Sequence, residues 1–197
     1  MPYKRRYRRR FRRRRKAPRL TKAIRPETKY ATLSLASTFG SVNTTAESYD
    51  ITDTTQGTDS NGDRIGNKIF AKNFMIKGIV TMPDSYNVVR ISLMHVDFSF
   101  NVTSHWGLDA SFNPQTQPRI KRVYWDKYIL GAENVAGAAV PRLIKKYVKL
   151  NKVCRYASST DTTPVTGRVV LCVVSDSAAS PFPTMVNGYW RMNYTDA

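Results

Sequence analysis

From residue 28 onward, apolar and polar residues alternate in short runs that are separated by clusters of Gly, Pro, Asn, Asp and Ser. Alternation with a period of two is typical of a β-strand that buries one face. A weaker run within Val42–Ile51 brings the predicted total to about eight strands. The clear runs are Lys29–Ser37, Asn67–Met82, Asn87–Phe98, Arg119–Leu130, Leu143–Tyr156, Gly167–Ser175 and Gly188–Thr195.

Three of these runs predict how their faces are used. Gly167–Ser175 is apolar on both faces, as a central strand would be. Asn67–Met82 and Leu143–Tyr156 each have one apolar face that we expect to point into a core. The apolar faces are Phe74, Ile76, Gly78, Val80 and Met82 in the first, and Val148, Leu150, Cys154 and Tyr156 in the second. The opposite face of the second run carries Lys145, Lys149, Asn151 and Arg155.

Helical periodicity is scarce. The best candidates for a short helical turn are Trp106–Ala110 and Val135–Ala139, both in long connections. No internal repeat is present at solenoid or propeller periods. Many strands joined by long, irregular loops predict an all-β sandwich or barrel.

Charge divides the chain of 197 residues into two regions. The formal net charge is +18, but residues 1–25 hold 14 basic residues and no acidic one, which leaves a body of only +4. Such a density of like charge predicts a disordered arm over 1–25 in the free protein and a folded domain over 26–197. A charge of this kind predicts a polyanionic partner.

The arm is the predicted nucleic-acid-binding site. Eleven of its 14 basic residues are arginine, whose guanidinium group binds phosphate oxygens in pairs. Tyr3, Tyr7 and Phe11 are interleaved and can stack on unpaired bases. A nuclear-localisation signal, a membrane-active segment and a solubilising tail are the alternatives, and the first is compatible with packaging. The predicted phosphate ligands are Lys4, Arg5, Arg6, Arg8, Arg9, Arg10, Arg12, Arg13, Arg14, Arg15, Lys16, Arg19 and Lys22.

Basic residues of the body either extend that phosphate-binding surface or form an ordinary solvated face. They are Arg119, Lys121, Arg122, Lys145, Lys146, Lys149 and Lys152. Four apolar loop residues are candidate subunit-interface anchors, unless they pack beneath their own loops. These are Trp106, Phe112, Phe182 and Met185.

Candidate chemistry is sparse elsewhere. We expect the two cysteines, Cys154 and Cys172, to be buried free thiols, and His95 to be a core or interface residue. No nucleophile, zinc or phosphate-loop motif is present, so we expect no enzyme and no certain cofactor. No apolar run approaches the ~20 residues of a membrane span, so we expect no membrane partner. Aspartates at positions 50, 53, 59, 63 and 196 are turn formers or ligands of an inter-subunit Ca²⁺.

Several segments carry a resemblance to known coat proteins. The start, MPYKRRYRRRFRRRRKAPR, resembles the arms of capsid proteins from circovirus-like viruses with circular single-stranded DNA. The body is similar to coat proteins of satellite tobacco necrosis virus type. The matching segments are Gly66-Asn67-Lys68-Ile69 before the Phe74–Val80 strand, Val169–Asp176 with its Ser175-Asp176-Ser177 ending, and Tyr194-Thr195-Asp196-Ala197.

The resemblance implies an eight-stranded antiparallel jelly-roll sandwich, with about sixty copies in the simplest icosahedral shell and the arm pointing inward. It also implies that Asp196 holds Ca²⁺ between subunits. At the positions of the partner ligands this chain has Ile65 and Lys68, which depart from that pattern.

We therefore expect a self-assembling virion capsid protein that packages single-stranded nucleic acid, DNA rather than RNA, in the host nucleus after recognition by an import receptor. The alternatives are a non-capsid single-stranded nucleic-acid-binding β-barrel protein and a cell-entry protein that acts at membranes. Fourteen arm cations in each of about sixty copies would neutralise roughly 800 phosphates.

Overall fold

The computed structural model describes residues 27–57, 60–84, 86–109, 114, 116–131 and 140–197. Ten strands and two short helices lie within these ranges. They are β1 (Lys29–Ser34), α1 (Leu35–Phe39), β2 (Glu47–Asp50), β3 (Thr55–Gln56), β4 (Asp63–Arg64), β5 (Lys68–Thr81), β6 (Val88–Val96), α2 (Val102–His105), β7 (Ile120–Leu130), β8 (Arg142–Arg155), β9 (Val169–Ser175) and β10 (Thr184–Asp196).

Eight strands form two four-stranded antiparallel sheets, in the orders β1-β10-β5-β8 and β2-β9-β6-β7. The chain crosses repeatedly from one sheet to the other, and β1 pairs with β10, so both ends of the domain share one sheet. This interleaved strand order is that of a jelly roll. The predicted all-β, eight-stranded antiparallel jelly-roll sandwich is thus confirmed, while the predicted arm over 1–25 and its boundary with the body lie outside the described residues.

The main core lies between the two sheets. Its residues come from the inward faces of both sheets and are at most 8% exposed. The predicted apolar faces of β5 and β8 point into it, and β9 is buried along its whole length. Prominent members are Phe74, Ile76, Val80, Ile91, Leu93, Val148, Leu171, Val173, Trp190 and Met192.

The first strand is shorter than predicted, because a helix replaces its last residues. Ser34 Oγ accepts a hydrogen bond from the Ser37 backbone N–H at 3.1 Å, which caps the start of α1. Leu35 and Phe39, four residues apart, are then buried on one side of α1. A Cβ atom on Gly78 would overlap Leu35 Cδ1, so any larger residue at this position would collide with Leu35.

Two other predicted elements are placed differently. The weak strand within Val42–Ile51 is limited to β2. The predicted turn at Trp106–Ala110 is wrong: the helix is α2, four residues earlier, where Asn101 Oδ1 accepts from Thr103 N–H at 3.0 Å. The predicted turn at Val135–Ala139 lies outside the described residues.

Both cysteines are buried free thiols, as predicted. Burial raises the pKa of Cys154 to about 12 and raises that of Cys172 well above its ordinary value. Within the described ranges, no helix has the length and apolar character needed to cross a bilayer.

Candidate nucleic-acid interface

On the outer face of the β1-β10-β5-β8 sheet, three central cross-strand rows form the surface that is here called the open face. The register of the four strands sets which residues stand side by side. From β1 to β8 the rows are Tyr30, Asn193, Asn73 and Lys149; Thr32, Arg191, Met75 and Tyr147; and Ser34, Tyr189, Lys77 and Lys145.

Strand alternation directs these side chains away from the core, because neighbouring residues of a strand point to opposite sides of the sheet. On β8, Ile144 and Val148 are buried, whereas Lys145, Tyr147 and Lys149 are exposed. Tyr147 keeps 56% of its surface in solvent and Tyr30 keeps 40%. Large aromatic groups are therefore accessible on a sheet whose other side is core.

Four of the twelve positions are cations, and none is acidic. The cations are Lys77, Lys145, Lys149 and Arg191. Lys77 and Lys145 are direct cross-strand partners, and like charges placed opposite each other destabilise a sheet. No carboxylate of the described residues forms an ion pair with any of the four. The face therefore carries positive charge that the described part of the subunit does not neutralise.

Arg191 is held in place at the centre of the open face. Its Nε donates to Thr32 Oγ1 at 3.0 Å. Its guanidinium carbon lies 4.7 Å from the ring centroid of Tyr30 and 5.7 Å from that of Tyr189. These cation–π contacts join β1 to β10 and leave the guanidinium group among aromatic rings without an acidic partner.

A pair of amides lies next to this group. Asn193 Nδ2 donates to Asn73 Oδ1 at 2.7 Å, and the two residues sit between Tyr30 and Lys149 in the same row. An amide has further donor and acceptor capacity beyond one hydrogen bond. A single-stranded nucleic acid presents phosphates, base faces and base edges. The cations can bind the phosphates, the tyrosine rings can stack on the base faces, and the amides can hydrogen-bond to the base edges.

The outer face of the β2-β9-β6-β7 sheet is covered, and is called the covered face here. The connection that contains α2 folds over it and forms a second apolar core with Trp106, which is 1% exposed, at its centre. The other buried members are Ala46, Met94, Val96, Phe100, Ile120, Val170, Cys172 and Val174.

Among the described residues, the buried cation of the covered face is Arg90, and it is paired. Arg90 is 3% exposed and bonds both carboxylate oxygens of Asp126, at 3.1 and 2.9 Å. Its guanidinium carbon stacks 5.2 Å from the ring of Trp106 and 5.0 Å from that of Tyr128. Ser92 Oγ also donates to Asp126. The positive charge of Arg90 is thus neutralised within the subunit, in contrast to the cations of the open face.

The structure divides the basic residues predicted on β8. Lys145 and Lys149 belong to the open face, as described above. Lys146 is exposed on the opposite side of the strand. Lys152 is half-buried. Burial lowers the pKa of His95 to about 4, and the positive charge of Lys152 contributes next.

The basic residues of β7 do not extend the open face, because β7 belongs to the other sheet. Arg119 and Lys121 form ion pairs with Asp97 at 3.8 and 3.5 Å. Arg122 lies 4.9 Å from the ring centroid of Tyr124. For these residues the solvated-face interpretation fits the geometry better than the phosphate-binding one.

Of the predicted interface anchors, Trp106 is 1% exposed and packs in the second core beneath the α2 connection, and Met185 is 0% exposed and lies on β10 in the main core. They are therefore not available to a neighbour. Phe182 is half-buried, and Phe112 lies outside the described residues. The predicted arm ligands also lie outside them.

Asp196 forms contacts within the subunit. Its Oδ2 lies 2.9 Å from Lys29 Nζ, and its Oδ1 accepts from the Ile65 backbone N–H at 2.8 Å. Lys29 is 3% exposed and so already neutralises the carboxylate. Calcium prefers about six to eight oxygen ligands. No group of three or more His, Cys, Asp or Glu in the described ranges is placed to hold a metal. The described part of one subunit therefore offers no complete calcium site, and the inter-subunit site stays a prediction.

A second acidic group lies after β2. Asp50 forms a two-point ion pair with Arg168, at 2.7 and 2.9 Å. Burial and the neighbouring Asp50 raise the pKa of Asp53 to about 6, despite a hydrogen bond from Thr163. These contacts join β2 to the start of β9 and explain two of the predicted turn-forming aspartates.

Sequence reasoning found the cations of β8. It missed the other members of the open face, which are Lys77, Arg191, Tyr30, Tyr147, Tyr189 and the amide pair. The signal was the lack of any acid on the polar faces of four separate strands. It could not be recognised before the pairing of β1 with β10 and of β10 with β5 was known, since these strands are far apart in the chain.

No protein-family model and no curated protein matches the chain. Among solved structures, one of infectious bursal disease virus, Gx strain, matches with a TM-score of 0.27 and 10% identity over 86% of this chain. The chain spans about a third, 33%, of that structure's length. The cleaved adhesin domain of Lys-gingipain from Porphyromonas gingivalis matches with a TM-score of 0.31 and 12% identity, over 86% of this chain and 99% of that one. Likenesses at this level assign no family, partner or activity.

Proposed function

We propose that this protein is a viral capsid subunit that assembles into a small icosahedral shell and encloses single-stranded nucleic acid. The proposal rests mainly on the difference between the two outer faces of the jelly roll. One outer face is covered and neutralised, and the other is open, basic and free of acids. A shell subunit needs such a division, because one side must meet a polyanion and the other must not.

The arm and the open face act together in this proposal. β1 is an edge strand of the open-face sheet and the first strand of the described chain. In the proposal, the cations of the arm bind the same nucleic acid as Lys77, Lys145, Lys149 and Arg191. These four raise the neutralised charge to roughly 1,100 phosphates for about sixty copies.

A second candidate function is a monomeric or dimeric single-stranded nucleic-acid-binding β-protein that forms no shell. The exposed tyrosines on a sheet face favour it, because an open aromatic surface is how such proteins stack bases. The two candidates share the partner and differ only in assembly.

Particle mass separates them. The full chain would be purified without nuclease, and light scattering would be combined with absorbance at 260 and 280 nm. The proposal expects a uniform species of about sixty subunits, each of 22.4 kDa, that carries nucleic acid and loses most of it when residues 1–25 are deleted. A monomer or dimer that still binds nucleic acid at physiological salt would reject the shell and favour the second candidate.

The cargo, the location and the metal are finer parts of the same proposal. Single-stranded DNA, virion residence and assembly in the host nucleus through an import receptor follow from the resemblance of the arm. Digestion of the co-purified nucleic acid by DNase but not by RNase would support DNA, and the reverse would reject it.

Calorimetry on assembled particles would test the inter-subunit calcium site. Calcium binding should be lost on Asp196→Asn. The proposed role is structural, with no catalytic step.

A further inference from the structure

The strand β8 presents alternating cations and an aromatic ring along one free edge of the sandwich. Lys145, Tyr147 and Lys149 follow each other at every second residue, and all three are exposed. The two lysines are about 13–14 Å apart along the strand. β8 is the last strand of its sheet, so among the described residues no strand of this sheet pairs with its outer edge.

The second exposed ring lies on the opposite edge strand of the same sheet. Tyr30 of β1 shares a row with Lys149, and the amides of Asn73 and Asn193 stand between them. Arg191 packs 4.7 Å from the Tyr30 ring and is tied to Thr32. Both rings are thus flanked by cations, on a surface whose backbone is fixed by the sheet.

Phosphate binding alone does not explain why exposed tyrosines stand among the cations of the open face. A face that only neutralised phosphate would gain nothing from a tyrosine that is 56% exposed, and lysine at that position would be better. A duplex hides the faces of its bases inside its own stack, so a tyrosine ring can stack only on an unpaired base.

We propose that the open face is itself a binding site for unpaired nucleotides, in which Tyr147 and Tyr30 stack on bases while Lys145, Lys149 and Lys77 bind the neighbouring phosphates. The inference rests on the proposed function in that the partner is a single-stranded nucleic acid. It does not depend on whether the subunits assemble into a shell. It adds a second site to the arm, and it predicts that the face discriminates single strands from duplexes.

The test uses the full chain, so the arm stays constant. Affinity would be measured by fluorescence anisotropy for oligo-thymidine, for an abasic oligonucleotide with the same number of phosphates, and for a duplex. The variants are Tyr147→Leu with Tyr30→Leu, the conservative Tyr147→Phe, and Tyr86→Leu as a control, since Tyr86 is 86% exposed and lies off the open face.

We expect the double leucine variant to bind oligo-thymidine roughly fivefold or more weakly, the effect of losing a base–aromatic stack. Its affinity for the abasic strand and the duplex, and its salt dependence, should stay unchanged. Tyr147→Phe and Tyr86→Leu should bind like the parent chain. An equal loss for all three probes, or no loss for oligo-thymidine, would overturn the inference.

A direct measurement does not depend on the variants. Photocrosslinking of a bromodeoxyuridine-containing oligonucleotide, mapped by mass spectrometry, should label Tyr147 or Tyr30 as well as the arm. Labels confined to Tyr3 and Tyr7 of the arm would contradict the site. Light scattering of the same sample keeps the two proposals separate: crosslinks on the open face in a monomer would reject the shell and retain the site.

Discussion

On the covered face, the connection through α2 buries Trp106 and Arg90, and Arg90 pairs with Asp126. On the open face, four cations and three tyrosines are exposed or half-buried, and no acidic residue stands among them. The two faces belong to sheets of equal strand number in the same sandwich. The two outer faces differ because the connection through α2 packs on one sheet, whereas the outward side chains of the other sheet stay half-buried or exposed.

The comparison also shows where stability comes from. A buried apolar group or a paired charge stabilises the subunit by itself, while adjacent lysines such as Lys77 and Lys145 cost stability until an anion arrives. The covered face should thus be sensitive to mutation in the isolated subunit. The open face should be sensitive mainly in its binding of nucleic acid.

The largest expected effect is on the covered face, from Trp106→Ala. Removing a side chain that is 1% exposed should lower the free energy of unfolding by about 3–5 kcal/mol. Urea unfolding followed by circular dichroism measures it, with Tyr86→Ala as the control that should change little. A loss below about 1 kcal/mol would mean that the covering connection does not hold this face shut.

The second effect concerns the paired charge. Asp126→Asn leaves Arg90 buried without its carboxylate and should cost about 2–4 kcal/mol, since Asp126 is partly exposed. The double change Arg90→Met with Asp126→Leu should recover at least half of the loss, because no unpaired charge remains. If Asp126→Asn unfolds at the same urea concentration as the parent chain, the pair is not what neutralises this face.

A third, smaller effect is pH dependence, which should arise in the covered sheet because the open face has no carboxylate or imidazole. In the folded protein, burial and the nearby Asp50 raise the pKa of Asp53 from 3.8 to about 6. The folded state therefore binds this proton more tightly than the unfolded state, and protonation of Asp53 favours folding. Its contribution is present below pH 3.8 and is lost as the pH rises through 6. Asp53→Asn should therefore stabilise the protein above pH 6, by about 1–2 kcal/mol after solvent screening.

Thermal unfolding from pH 4 to 8 checks this by the difference between Asp53→Asn and the parent chain. His95, whose pKa is lowered to about 4, acts in the opposite direction, and its contribution cancels in that difference. A difference that is constant across the range would contradict the assignment to Asp53.

The smallest effect on stability is expected on the open face. Lys77→Glu replaces a like-charge pair with an opposite-charge pair and should stabilise the subunit by up to about 1 kcal/mol. Nucleic-acid affinity should fall at the same time, with a shallower dependence on salt. Lys77→Gln is the matched control and should lie between the two. Loss of stability in Lys77→Glu would mean that the face is not electrostatically strained.

Most strands were predictable because their patterns are local. The alternation in Asn67–Met82 and Leu143–Tyr156 and the doubly apolar Gly167–Ser175 correspond to β5, β8 and β9. The helix α1 was missed because its cap, Ser34 bonding to Ser37, competes with strand pairing in a segment whose apolar residues suit either structure. The position of α2 depended on Trp106 being part of the second core rather than of a helix.

The sequence by itself determined the strands, the all-β class and the segregation of charge into the arm, since each depends on residues close together in the chain. Only the tertiary structure decided which cations are neutralised. Lys145 and Lys121 look alike in sequence, yet one faces an acid-free sheet surface and the other pairs with Asp97. That difference follows from strand order, which is a long-range property: the open face exists because β1, β10, β5 and β8 come together from both ends of the domain.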